Sequence, residues 1–235
     1  MGLFTFFQKN QQLKRAQREN WPDFLQEYLA VSAHLPSFSD NWQKVRFVVF
    51  DTETSGLNPR MDDILSIGAV CIEDESIQLG DSLDMVIQSP AAHLPEVIAV
   101  HGITPSEVAG GVEPLQAAEQ FLGLLRDSII VAHHAAFDMR MIERLVQKHT
   151  GHDFRLQNRF LDTAHLARRI EYPRRNPDMI NPSQFSLDAL CDRYDITRYD
   201  RHTSWGDALI TTKLLLTLMR IRRAHNPPEV KYLFR

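Results

Sequence analysis

A mixed β-sheet covered by helices, in the α/β class and preceded by a helical N-terminal extension, is the fold this sequence predicts. Three observations predict it. Strand-like apolar runs crowd residues 45–89, whereas strand and helix patterns alternate from residue 113 onward. The runs "RFVVF", "ILSIGAVCIE" and "IIVA" are nearly unbroken in apolar character, as buried strands are. The 235 residues, 43% hydrophobic and 24% charged, suffice for one substantial core and are short for two full domains.

Residues 1–44 read as the helical extension and residues 45–235 as the main domain. In the extension, "QKNQQLKRAQREN" and "WPDFLQEYLAVSAHLP" form two helices broken near Trp21-Pro22. The second carries Phe24, Leu25, Tyr28, Leu29 and Val31 at helical spacing, with Asp23 in its first turn. With Phe4, Phe6 and Phe7 as well, this is more apolar surface than a free tail carries. The extension should fold against the main domain, a second copy or a partner. "PSFSDNW" reads as a linker.

The main domain opens with strand "KVRFVVFDTET", a second strand over 64–74 and a weaker third over 81–89, with turns at Asp62-Asp63 and Gly80. An antiparallel meander accommodates all three. A helix follows over 113–128, then strand "IIVAHH" and helix "MRMIERLVQKHTG", closed by Gly151. Strand "RFL" leads into helix "TAHLARRI" with Asp162 as N-cap, and Ser186 caps "SLDALCDRYDI". The last long helix, "GDALITTKLLLTLMRIRRA", gathers its basic residues at the C-terminal end, as the helix dipole favours. Its Leu214, Leu215, Leu218 and Ile221 read as core packing.

Composition narrows the function. A net charge of −4 argues against coating nucleic acid by bulk electrostatics, though not against gripping a nucleic-acid end locally. Two cysteines are too few for a disulfide framework, so a cytoplasmic setting is expected. No apolar run approaches the ~18 residues of a membrane span. "LFTFF" is short for a signal-peptide core, and Phe6 stands where a myristoylation motif wants Ser or Thr.

The chemistry starts at Asp51 and Glu53. Strand residues two apart share a face, so the two carboxylates aim together while Thr52 points the other way. Like charges this close raise one pKa unless a cation holds both ionised. Alone, such a pair is usually a solvated strand end. Asp138 alone would be an ordinary helix cap, and Asp207 alone a first-turn acid. Together, four carboxylates at the ends of buried elements, with His202 five residues before Asp207, fit a two-metal hydrolase. Hard oxygen ligands suit Mg²⁺ or Mn²⁺ better than zinc. Two such ions roughly 3.5–4 Å apart can clamp both oxygens of a phosphoryl displacement. A histidine titrates near neutral pH and can take the water proton.

The ordered motifs "FDTETSGL", "AHHAAFD" and "HTSWGD", with "VHGIT" and "LDTAHLAR" beside them, resemble the DEDDh branch of the DnaQ-like 3′–5′ exonucleases. This is the family of the DNA polymerase III epsilon proofreading subunit, and the resemblance spans about residues 45–223. It implies an RNase H-like exonuclease fold and a nuclease acting on single-stranded or frayed 3′ ends. It also implies that Asp51 bridges two metals, Glu53 and Asp207 complete one site, Asp138 supports the other, and His202 is the general base. Leu57 would meet the terminal base and the backbone at Thr54 the terminal sugar. Phe137 would pack beside the end nucleotide, unless it is simply a core aromatic. His134 stands where the family usually has Asn and helps position substrate, and Trp205 is bulkier than expected.

DNA is the preferred substrate, with RNA the close alternative, because the catalytic motifs cannot read the 2′-position. A polymerase-associated subunit that docks a partner through its N-terminal helices is the alternative from another class. Arg168, Arg169, Arg174 and Arg175, or Arg198 and Arg201, would steer the phosphate backbone if they border the site. The first set can equally be a solvated helix end and loop; Arg198 and Arg201, which flank the approach to His202, are the better candidates. His93, His101, His149 and His152 lack ligand spacing and are expected in loops or at the surface.

Overall fold

The computed structural model describes residues 11–90, 101–173 and 180–234. Phe4, Phe6, Phe7, His93, Arg174 and Arg175 lie outside them. Five strands form one sheet in the order β3-β2-β1-β4-β5: β1 (Phe47–Thr54), β2 (Ile64–Glu73), β3 (Ser76–Val86), β4 (Ile129–Ala132) and β5 (Phe160–Asp162). β1 to β3 are an antiparallel meander, and β4 and β5 run parallel to β1. The sheet is therefore mixed, as expected.

β1 and β2 read as continuous apolar runs because both sheet faces are covered. Val48 and Phe50 enter one core with α2 (Asp23–Val31), α4 (Pro114–Leu125) and α5 (Ala136–Thr150). Phe47 and Val49 enter the other with α6 (Thr163–Glu171), α7 (Leu187–Arg193) and α8 (Ser204–Arg223). Leu214, Leu215 and Leu218 are buried there, as expected. Short helices α3 (Pro105–Ala109) and α9 (Lys231–Phe234) complete the set. Asp162 caps α6 by accepting from the backbone N–H groups of Ala164 and His165, and Ser186 caps α7 by accepting from that of Ala189. Gly151 closes α5 in the left-handed region.

The N-terminal helices share the first core. Helix α1 (11–18) contributes Ala16, and Trp21, Leu25, Tyr28 and Leu29 are buried with it. The Tyr28 hydroxyl donates to Asn158 at 2.7 Å and accepts from the Gln157 backbone N–H. Trp21 stacks on His152 with ring centroids 4.7 Å apart, so His152, in a loop as expected, also packs. The stretch read as a linker is fixed too: Trp42 is buried, and its backbone N–H donates to Pro228.

Three boundaries differ from expectation. The β2–β3 turn falls at Asp74 and Glu75, both left-handed, and Gly80 lies inside β3 beside a bulge. Nothing signalled the first half of that strand, where Ser76, Leu79 and Gly80 are exposed and no apolar run forms. Helix α5 starts three residues before Met139, and α8 starts at Ser204 under a Thr203 cap.

Candidate active site

Asp51 and Glu53 leave β1 on the face that α8 covers, while Thr52 faces α5. Asp51 pairs across the sheet with Gly68 of β2. That glycine decides the site. A Cβ there would lie 2.2 Å from the backbone of Ser204 and Trp205, so only glycine lets the start of α8 rest directly on the sheet. Ser66 donates to Ser204 at 2.9 Å and locks the contact. Asp207, in the first turn of α8, is thereby delivered to the end of β1. Oxygen atoms of Asp51, Glu53 and Asp207 all lie within 4.8 Å of one another.

Asp138 arrives from the opposite face. It sits in the first turn of α5 and accepts a 2.6 Å hydrogen bond from the Thr52 hydroxyl. It is not among the three clustered acids, yet its charge bears on them. Burial pushes Asp51 well above the usual carboxylate range, reinforced by Asp138, Asp207 and Glu53. Burial, then Asp207 and Asp138, push Glu53 up to about 7. Asp138 is also raised by burial to about 7, against the opposing pull of the Thr52 hydrogen bond. Three acids held this way, Asp51, Glu53 and Asp138, need protons or a cation.

A divalent ion fits them. Asp207 is buried, and its Oδ1 has no hydrogen-bond partner although it lies in a cage of carboxylates. The donor set is oxygen alone, the preference of Mg²⁺ and Mn²⁺. The other oxygen, Oδ2, accepts from Arg201, whose Nε and second amino group donate to both oxygens of Asp188 at 2.9 and 3.0 Å. Arg201, expected as a candidate to steer the phosphate backbone, is instead engaged by two acids. Arg198 is paired with Asp188 and Asp192. Arg169 donates to the Leu233 carbonyl and Arg168 lies over the Phe185 ring, so these two are packing residues.

His202 is exposed, without a hydrogen-bond partner among the described residues, in a loop where Asp200 and His202 are both left-handed. His134 is also exposed, with φ 64°. Asn and His are the residues enriched at positive φ, which gives a backbone reason for His at this place. Its neighbour His133 is clamped between Thr163 at 2.8 Å and the Phe185 carbonyl at 3.0 Å, and burial lowers it to about 4. Leu57 stands 87% exposed in the turn after β1, free to meet a ligand. Thr54 donates to the Gly56 carbonyl, and Phe137 is half-buried against the first core. His101, expected in a loop or at the surface, is buried, its Nδ1 accepting from the Ile103 N–H. His149 is exposed. A cavity of about 390 Å³ lined in part by Asp63, Gln88, Lys148 and His149 holds none of the clustered acids.

A carboxylate cluster thus stands at the end of β1, with first-turn acids of helices on both sheet faces. The chain belongs to the RNase_T exonuclease family, whose profile matches residues 48–215. It is 28% identical over 187 residues to the PolC-type DNA polymerase III of Thermotoga petrophila, across 80% of this chain and 13% of that one. It is 34% identical over 185 residues to a DNA polymerase III subunit epsilon-like protein of Rhodobacter capsulatus, across 77% and 25%. The chain thus spans a quarter or less of the length of these two relatives. The crystal structure of E. coli exonuclease I in complex with a dT13 oligonucleotide superposes with a TM-score of 0.62 at 18% identity, covering 77% of this chain and 42% of that one. At that identity the likeness shows the fold, RNase H-like with a mixed five-stranded sheet between helices. Among the described residues no helix is long and apolar enough to cross a membrane.

Proposed function

We propose that the chain is a metal-dependent 3′–5′ exonuclease of the DEDDh type that cleaves single-stranded or frayed DNA and releases nucleoside 5′-monophosphates. The observation that carries this reading is the cage of Asp51, Glu53 and Asp207 with an unpartnered, buried Asp207 oxygen facing a cation's place. Membership of the exonuclease family and the polymerase III relatives support it.

Asp51, Glu53 and Asp207 would hold one Mg²⁺ or Mn²⁺, and Asp51 with Asp138 a second. When bound, the ions supply Lewis-acid stabilisation of the charge that develops on phosphate oxygens. The chain's own residues do the rest. His202, exposed at the rim, takes the proton from the attacking water. Leu57 stacks against the terminal base and the Thr54 backbone holds the terminal sugar, while Phe137 braces the start of α5 beneath them. His134, also exposed, positions the backbone of the bound strand.

End-labelled DNA and RNA oligonucleotides incubated with Mg²⁺ or Mn²⁺ test the reading. Shortening from the 3′ end, faster on DNA and abolished by chelator, is expected. No turnover with either metal on either substrate would remove it. Faster trimming of RNA would make the chain an oligoribonucleotide nuclease. The polymerase III relatives also favour a second reading, a nuclease that works beside a polymerase; copurification with a replicative polymerase would support that.

A further inference from the structure

Arg201 is the one described basic side chain that donates directly to an acid of the cluster. It lies next to His202, and its planar fork is divided. Two nitrogens hold Asp188 in the first turn of α7, and the third holds Asp207 Oδ2. The other Asp207 oxygen is the buried one without a partner. Asp207 thus has one oxygen spent on a fixed cation and one left over. We propose that Arg201 sets the metal preference of the site: by occupying Asp207 Oδ2 it leaves a single oxygen for the ion, which disfavours Ca²⁺ against Mg²⁺ and Mn²⁺.

The chemistry is general. Ca²⁺ gathers six to eight oxygens and often takes both from one carboxylate, whereas Mg²⁺ takes few protein ligands and keeps waters. An arginine that blocks the second oxygen penalises the larger ion more. Its positive charge also lowers affinity for every cation near it. Asp188 keeps that charge shared: Arg201 holds the Asp188 carboxyl down at about 2, so the pair stays ionised across the working range. Because the arginine is anchored on Asp188 and Asp207 immediately before His202, it is a positioning residue and not a catalytic one.

The inference rests on the reading that the cluster holds a divalent ion, and the test separates the two. Titration calorimetry with Mg²⁺, Mn²⁺ and Ca²⁺ on the substrate-free full chain reads affinity without turnover. Arg201→Gln should tighten binding of all three, with the largest gain for Ca²⁺. Should that variant not fold, Asp188→Asn serves: the undivided arginine then presses on Asp207, and metal binding weakens. Unchanged or weaker binding in folded Arg201→Gln, a uniform gain for the three ions, or unchanged or tighter binding in Asp188→Asn, overturns the proposal. A wild-type chain that takes up no ion at all removes the metal reading together with it.

Discussion

Asp138 and Asp207 occupy equivalent places on opposite faces of the sheet. Each stands in the first turn of a helix that starts beside the end of β1. Their partners differ. Asp207 accepts a hydrogen bond from a guanidinium, that of Arg201. Asp138 receives a neutral hydroxyl, is fully enclosed, and rises to about 7. One acid comes with a resident cation, and the other waits for a proton or a metal. On the proposed reading, metal uptake should therefore respond to pH through the α5 side and to loop chemistry through the α8 side.

The largest effect should come where both sides meet. Asp51→Asn removes the acid that both sides share, and hydrolysis should fall below detection at saturating metal. The same change relieves repulsion among buried acids, so the metal-free variant should melt higher than wild type at pH 7.5. Near wild-type turnover would sink the assignment of Asp51. Next comes His202→Ala, expected to cost roughly 10²–10⁴-fold in turnover while metal binding persists. Calorimetry showing lost metal binding would make His202 a ligand instead.

Gly68→Ala attacks the α8 side alone. The added methyl meets backbone 2.2 Å away, so α8 must shift and carry Asp207 off the cluster. A displacement of about 1 Å is enough for about a 10²-fold loss of turnover. Asp138 should keep its Thr52 hydrogen bond, so metal affinity should drop without a change in the pH dependence of what binding remains. Unaltered kinetics in a folded variant would show that the close contact does not position the site.

Much of this comparison was legible in the sequence. Alternation put Asp51 and Glu53 on one face and Thr52 on the other, and that is where the structure places them. The apolar runs announced β1, β2 and β4 because both faces of the sheet are covered. The partners of the acids were not legible. Arg201 reads as a surface cation until α7 folds beside it, since its mate Asp188 is 13 residues away. Gly68 looks like any small residue in a strand; only the approach of Ser204 shows its purpose. The first half of β3 escaped because Gln78, Gly80 and Asp81 supply no apolar side chains to mark the alternation that betrays a half-buried strand.

The smallest expected effect isolates the α5 side. Thr52→Val keeps the shape of the side chain and removes the 2.6 Å hydrogen bond to Asp138. A hydrogen bond to a charged group is worth about 1.5–3 kcal/mol, so the acid should rise about one further pH unit above its present value near 7. Metal uptake requires the ionised form, and the acid limb of the pH–rate profile should move to higher pH by about as much. Stability supplies an independent readout. Between the ordinary carboxylate range near pH 4 and about pH 7, the unfolded chain has released a proton that folded Asp138 keeps. Raising the pH through that window therefore favours unfolding of the metal-free protein. In Thr52→Val the decline should continue about one unit further before levelling, and saturating Mn²⁺ should offset it in both proteins. Melting curves in chelator across pH 4–9, paired with pH–rate profiles in metal, measure the two shifts. Coincident acid limbs for variant and wild type would mean that Thr52 does not tune Asp138, and the asymmetry between the two faces would then rest on Arg201 alone.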